Sequence, residues 1–154
     1  MKIFVIDQTG KIQSQFLIAE SNTAYYSDEI QALNAVELQL PELVLLDYAL
    51  RGEDTAEYVD LLLSRSPSTS IVLIGDNLAD DQVLACLLVG AKGYQNIEEL
   101  AHYAGKIIRV VGAGEAWITR RMTARLLDAI RLQNLSLVNS LDLSSGHIES
   151  NISH

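Results

Sequence analysis

Leu43-Val44-Leu45-Leu46-Asp47-Tyr48-Ala49-Leu50-Arg51-Gly52-Glu53-Asp54 is a short apolar run that ends on a carboxylate and opens into a polar loop. Four apolar residues without polar alternation suit a strand buried on both faces of a parallel sheet. Ligands of such sheets sit beyond the carboxyl ends of the strands, which makes Asp47 the most exposed functional position of the run. A second acid, Asp7, closes the equivalent run Lys2-Ile3-Phe4-Val5-Ile6-Asp7. Two strand-end carboxylates on one sheet form a candidate cation or phosphoryl site.

Outward from these runs, short apolar segments alternate with segments of helical period from Met1 to about Val111, the mark of βαβ units. Five strands are expected: Lys2 to Asp7, Thr23 to Tyr26, Leu43 to Asp47, Ser70 to Gly75, and a short one at Gly93 to Gln95. Helices are expected at Asp28 to Leu40, Thr55 to Ser64 and Asp80 to Val89, the last stopped by Gly90. Ile12, Phe16 and Ala19 stand at helical spacing, so a helix is favoured over a hairpin in Thr9 to Ala19. Leu100, Ala104, Ile107, Ile108 and Val111 share one helical face within Ile97 to Val111. Asp54 reads as the N-cap of the helix from Thr55, with Glu57 completing a capping box. Pro41 and Pro67 punctuate connections.

A further helix is expected after Thr119, with Met122, Leu126, Leu127 and Ile130 on its apolar side. Leu127, Ile130, Asn134, Leu137 and Leu141 continue by steps of three and four, the a/d spacing of a coiled coil with one polar a position. That signal covers about two heptads where three or four are needed, so packing onto the parent domain and self-association both stay open. The expected organisation is a domain over residues 1–114, a helical extension over 115–143 and a flexible polar tail over 144–154. There is no internal repeat.

The 154 residues suit one domain with a sizeable core, and 49% are hydrophobic. The single cysteine, Cys86, lies in an apolar run and reads as an inert core residue, so no disulfide within the chain is possible. The first apolar run meets Asp7 too soon for a signal sequence, and nowhere do about 18 apolar residues run without a charge. A soluble cytoplasmic protein is expected. Eleven Lys plus Arg stand against 20 Asp plus Glu, a net charge of −9 that would repel nucleic acid. Arg120, Arg121, Arg125 and Arg131 spread around a helix as a solvated face, so direct DNA binding is not expected. His102, His147 and His154 are too scattered for a metal site, and no G-x-S-x-G supports nucleophilic catalysis.

The order of elements, Asp47 after the third strand, the Leu50-Arg51-Gly52-Glu53-Asp54 loop, and above all VLACLLVGAKGY (Val83 to Tyr94) with GEAWIT (Gly114 to Thr119) resemble the receiver domains of two-component response regulators. The likeness covers roughly residues 1 to 130 and is to the subfamily that usually carries a LuxR- or NarL-type helix-turn-helix. The segment beyond Leu132 is too short to hold such an output domain. The resemblance implies a flavodoxin-like (CheY-like), doubly wound five-stranded parallel α/β sheet of order 2-1-3-4-5, here with an extra C-terminal helix. It also implies transfer of a phosphoryl group from a histidine kinase to an aspartate, helped by Mg²⁺. An acid pocket would hold the cation while a lysine and a hydroxyl bind the remaining oxygens.

Residue by residue, the resemblance makes Asp47 the phosphoacceptor and Asp7 the first of the acidic pair. Gln8 stands where the second acid is expected, which leaves Asp7, Asp47 and Gln8 as a weakened Mg²⁺ set. Gly75 stands where Thr or Ser is expected, and Ile97 where the lysine is expected. Tyr94 matches the aromatic that responds to the phosphorylation state. Asp7 reads equally well as a carboxylate hydrogen-bonded to the loop after the third strand, and Trp117 as packing under the last helix.

The leading expectation is a degenerate receiver that is not an enzyme. It would act in signal transduction or transcriptional regulation through protein contacts, with weak or absent Mg²⁺ binding and Asp47 phosphorylation. Its partner would be a sensor histidine kinase or another regulator, bound on the last strand and its flanking helices. A homodimer could use the same Asp80 to Val111 face or the C-terminal helix. The second expectation is a working Mg²⁺-dependent phosphoacceptor receiver, stand-alone or part of a longer DNA-binding regulator. The third is a small flavodoxin-like enzyme or flavin binder. Gln8-Thr9-Gly10 lacks the hydroxyl and glycine run needed to wrap a phosphate, so no flavin is expected.

Overall fold

The computed structural model describes residues 1–16 and 22–144. The expected tail beyond Ser144 and the part of the first helical segment around Ala19 lie outside the described residues. By compactness the chain divides into Met1–Thr119 and Arg120–His154.

In the first unit the apolar runs form five parallel strands, β1 (Ile3–Ile6), β2 (Thr23–Tyr26), β3 (Leu43–Asp47), β4 (Ser70–Gly75) and β5 (Gly93–Asn96), ordered β2-β1-β3-β4-β5. The order reverses direction after β1, so the ends of β1 and β3 lie side by side: Ile3 pairs with Leu43 and Ile6 with Leu46. This register brings Asp7 and Asp47, each one residue further on, to the same rim.

Helices α1 (Lys11–Gln15), α2 (Glu29–Gln39), α3 (Thr55–Arg65) and α4 (Asp80–Leu88) connect the strands, and α5 (Leu100–Gly112) follows β5. One sheet face, with Ile3, Val5, Leu43, Leu45, Val72 and Ile74, buries Ile12 and Phe16 together with Leu100, Ala104, Ile107 and Val111 of α5. The alternate residues Phe4, Ile6, Val44, Leu46, Ile71 and Leu73 are just as fully buried, which accounts for the unbroken apolar runs.

The helix ends show how local sequence is used. Asp28 caps α2 by accepting from the Ile30 N–H, and Leu40 closes it in a left-handed turn at φ 50° before Pro41. Asp54, in contrast, makes no side-chain cap to α3. Short 3₁₀ turns over Tyr48–Leu50 and Gly52–Asp54 deliver the chain to the helix, and Thr55 Oγ1 donates to the Gly52 carbonyl at 2.6 Å. The expected Asp54–Glu57 capping box is therefore replaced by a threonine tie. At α5 another 3₁₀ turn, Ile97–Glu99, precedes the α-helix proper, with Asn96 accepting from the Glu98 N–H.

Trp117 is also tied into the sheet, which its sequence context did not announce. It pairs with Gly93 in a single parallel bridge, its backbone donating to the Lys92 carbonyl and accepting from the Tyr94 N–H. The indole Nε1 donates to buried Gln95 at 3.0 Å, and the ring lies 5.8 Å from that of Tyr103. Trp117 thus extends the sheet beyond β5 and packs toward α5. Gly93 is the residue that permits this, because a Cβ there would overlap the Trp117 backbone.

The second unit contains α6 (Arg120–Ser144), 25 residues long. Arg131 pairs with Asp128 across one turn at 3.7 Å. Leu127, Leu132, Leu135, Leu137 and Val138 are each more than half exposed. Among the described residues no helix is long and apolar enough to cross a membrane.

Candidate functional site

At the carboxyl edge of β1, β3 and β4, a cavity of about 250 Å³ is lined by Thr9, Lys11, Asp47, Tyr48, Ala49, Gly75, Asp76, Leu78 and Ile97. Strand β3 delivers Asp47 and strand β4 delivers Gly75. The turn before α1 contributes Thr9, the first residue of α1 contributes Lys11, and the loop after β4 contributes Asp76 and Leu78. The sequence placed Asp47, Gly75 and Ile97 here. Lys11 and Leu78 were not expected.

Asp47 is buried, and its Oδ1 accepts from the Ala49 N–H at 3.0 Å. Burial pushes its carboxyl up to about 6. The Ala49 hydrogen bond opposes that push, the adjacent Asp7 carboxyl adds to it as partner and as charge, and Lys11 again opposes it.

Asp7 is equally buried, but it is engaged with its own loop rather than the loop after β3. Its Oδ2 accepts from the Ile12 N–H at 2.6 Å, and its Oδ1 accepts from the Thr9 N–H at 3.1 Å and the Thr9 hydroxyl at 3.3 Å. The carboxylate thereby anchors the first turn of α1.

A divalent cation such as Mg²⁺ needs near-octahedral oxygen ligation. Asp7 and Asp47 supply two carboxylates, Asp7 has both oxygens in hydrogen bonds, and Gln8 is exposed. Among the described residues no group of three His, Cys, Asp or Glu could hold a metal. Two carboxylates and the exposed Gln8 amide are thus the oxygen donors of the expected set.

Gly75 lacks the hydroxyl, and the space a side chain would take there holds Leu78. A Cβ on Gly75 would fall 2.7 Å from Leu78 Cγ. Ile97 brings no charge to the lining, and the only cation among the lining residues is Lys11. Lys92 is exposed and does not line this cavity. Tyr94 is half-buried, and its hydroxyl bridges the loop after β4 by accepting from the Leu78 N–H at 3.0 Å and donating to the Gly75 carbonyl at 3.4 Å. Burial pushes the Tyr94 phenol up from its ordinary range.

Lys11 carries a faint sequence signal, since a cation just past the first strand belongs to the loops at the sheet's carboxyl edge. Leu78 carries none, because an apolar residue inside an acidic loop has no periodicity to place it. Cys86 is buried and pushed up to about 11 by that burial, in keeping with an inert thiol.

No family model matches the chain. The DNA-binding transcriptional activator DevR/DosR of Mycobacterium tuberculosis is 27% identical over 101 residues, covering 66% of this chain and 46% of that protein. The chain thus spans about half the length of the curated relative it matches. Among solved structures, the isolated REC domain of RcsB from Salmonella enterica serovar Typhimurium superposes with a TM-score of 0.70 at 16% identity, covering 83% of this chain and 98% of that one. A LuxR-family two-component response regulator from Aurantimonas sp. SI85-9A1 gives 0.67 at 15% identity, covering 83% and 96%. The sheet order, the paired rim acids and these likenesses agree: the fold is that of a response-regulator receiver domain, similar to the receivers of LuxR/NarL-type regulators.

Proposed function

We propose that this chain is an atypical receiver that works in cytoplasmic signal transduction or transcriptional regulation through protein contacts, with weak or no phosphorylation of Asp47 and weak or absent Mg²⁺ binding. The observation that carries this reading is the lining that Asp47 shares with Leu78 and Ile97. Leu78 fills the place of the missing hydroxyl and Ile97 stands where a lysine would be needed. A transferring phosphoryl group spreads negative charge over its oxygens and is stabilised by donors and cations aimed at them. Two apolar side chains supply neither.

The partner would be a sensor kinase or another regulator, docking on β5 and its flanking helices α4 and α5. Self-association would use that face or α6, whose exposed leucines need a cover.

A second reading, a working phosphoacceptor, is favoured by Lys11. Its ammonium shares the cavity with Asp47 and could partly replace the absent lysine. Incubation with acetyl phosphate and Mg²⁺, followed by intact-mass measurement, separates the two. The atypical reading predicts at most a trace of acid-labile phosphoryl adduct. Conversion of most of the chain to an adduct that disappears in Asp47→Asn would establish the second reading instead.

A further inference from the structure

We propose that Leu78 is a built-in plug of the Asp47 cavity, and that the loop carrying it is fastened to β5 so firmly that residues 75–79 keep one conformation without any modification of Asp47. The inference rests on the atypical-receiver reading and deepens it, because it names what sets the state of the site when phosphorylation does not.

The fastening has an apolar half and a polar half. On the apolar side, Gly75 and Leu78 are a matched pair. The Leu78 atoms Cγ, Cδ2 and Cδ1 lie 2.7, 2.8 and 2.9 Å from where a Cβ on Gly75 would be. A larger residue at 75 would force the Leu78 side chain to shift, so the glycine leaves the hollow that the leucine fills. Leu78 reaches this hollow because Asn77 turns the chain at φ 50°, a left-handed conformation that asparagine tolerates.

On the polar side, four hydrogen bonds hold a five-residue loop. The Leu78 N–H donates to the Tyr94 hydroxyl at 3.0 Å, and that hydroxyl donates to the Gly75 carbonyl at 3.4 Å. Asn96 Nδ2 donates to Asn77 Oδ1 at 2.6 Å, and the Ala79 N–H donates to Gln82 Oε1 at 2.8 Å. Tyr94 and Asn96 both belong to β5, so the loop and the end strand move as one piece. Tyr94 can accept and donate together only as a neutral phenol, and burial keeps it protonated.

A loop that switches needs a second state within a few kcal/mol of the first. Here the second state would have to empty the Gly75 hollow and break the Tyr94 bridge together. The consequence is a receiver that presents one fixed β5 surface to its partner. Leu78 and Gly75 set this state, and Tyr94 holds it as a positioning residue.

The test is amide hydrogen exchange followed by NMR on the full chain, without Mg²⁺ or fluoride. In the wild type the Leu78 and Ala79 amides are expected to exchange at least about 100-fold more slowly than in an unstructured peptide. Tyr94→Phe should speed exchange at Leu78 by at least about tenfold, and Leu78→Ala should do so at Ala79, with β1 and β3 unchanged. Unprotected Leu78 and Ala79 amides in the wild type would overturn the proposal, as would Leu78→Ala and Tyr94→Phe that leave the loop as protected as before. Adding Mg²⁺ and beryllofluoride to the wild type then tests the parent reading separately. Binding at Asp47 with the loop already protected would sink the phosphorylation claim and leave the fastened loop standing.

Discussion

Replacing Asp47 by Asn should stabilise the protein at neutral and alkaline pH. The folded carboxyl sits at about 6 against an ordinary 3.8, so its charged form is disfavoured in the native state. Below pH about 3.8 both states hold the proton and the site exacts no penalty. As pH rises, the unfolded chain ionises first while the folded protein retains its proton, and stability falls until pH passes about 6. At 1.36 kcal/mol per pH unit, the gap between about 6 and 3.8 amounts to about 3 kcal/mol. Asparagine keeps the shape, keeps an oxygen for the Ala49 N–H and offers its amide to Asp7, so it should recover about 1–3 kcal/mol at pH 8. Urea unfolding in EDTA, followed by circular dichroism, should show the midpoint raised by about 1 M at pH 8 for a slope of about 2 kcal/mol/M. The gain should shrink to nothing near pH 3.5. An Asn variant that is less stable at pH 8, or whose gain persists unchanged below pH 4, would refute this account of the rim acids. A loss of the gain in millimolar Mg²⁺ would show that the wild-type pair binds the cation after all.

Three further outcomes are expected. Gly93→Ala should destabilise by about 1–3 kcal/mol, lowering Tm by roughly 2–4 °C per kcal/mol, because its methyl would meet the Trp117 backbone; an unchanged Tm would mean that Trp117 does not lie along β5. Tyr58→Phe removes a 2.6 Å hydrogen bond from a fully buried phenol to the Glu29 carbonyl and should cost about 1 kcal/mol in urea unfolding, whereas a neutral substitution would mean that solvent already satisfies that carbonyl. The exposed Leu132, Leu135, Leu137 and Val138 of α6 should drive concentration-dependent self-association in sedimentation experiments, reduced by Leu137→Glu; a monomer at all concentrations up to about 100 µM would leave that face to a different partner.

The sheet was legible because its physics is local. Strands buried on both faces must be apolar at every position, so IFVI and LVLLD announced themselves, and the acids that end them had to fall at the rim. The substitutions at Gln8, Gly75 and Ile97 could be read by position alone. What could not be read was what fills the gaps they leave. Leu78 enters the cavity through a left-handed turn at Asn77, and Lys11 through the turn that Asp7 anchors; neither has a periodic signature. Asp54 misled because a 3₁₀ turn, rather than an extended residue, leads into α3, which leaves its carboxylate out of capping position and hands the tie to Thr55. The sheet pairing of Trp117 went unread for a related reason. A single-residue bridge has no alternation, and only the bare Cα of Gly93 reveals that a backbone passes close by.

If Asp47 takes a phosphoryl group weakly or not at all, a phosphoryl mimic should find little hold in its cavity. The most direct test is a titration of the full chain with Mg²⁺ and beryllofluoride, followed by amide NMR, with Asp47→Asn as control. No saturable shifts are expected at Asp7, Asp47, Leu78 or Tyr94 at millimolar Mg²⁺. Saturable shifts at those residues that vanish in the Asn variant would contradict this expectation and make Lys11 the first residue to examine for a compensating role.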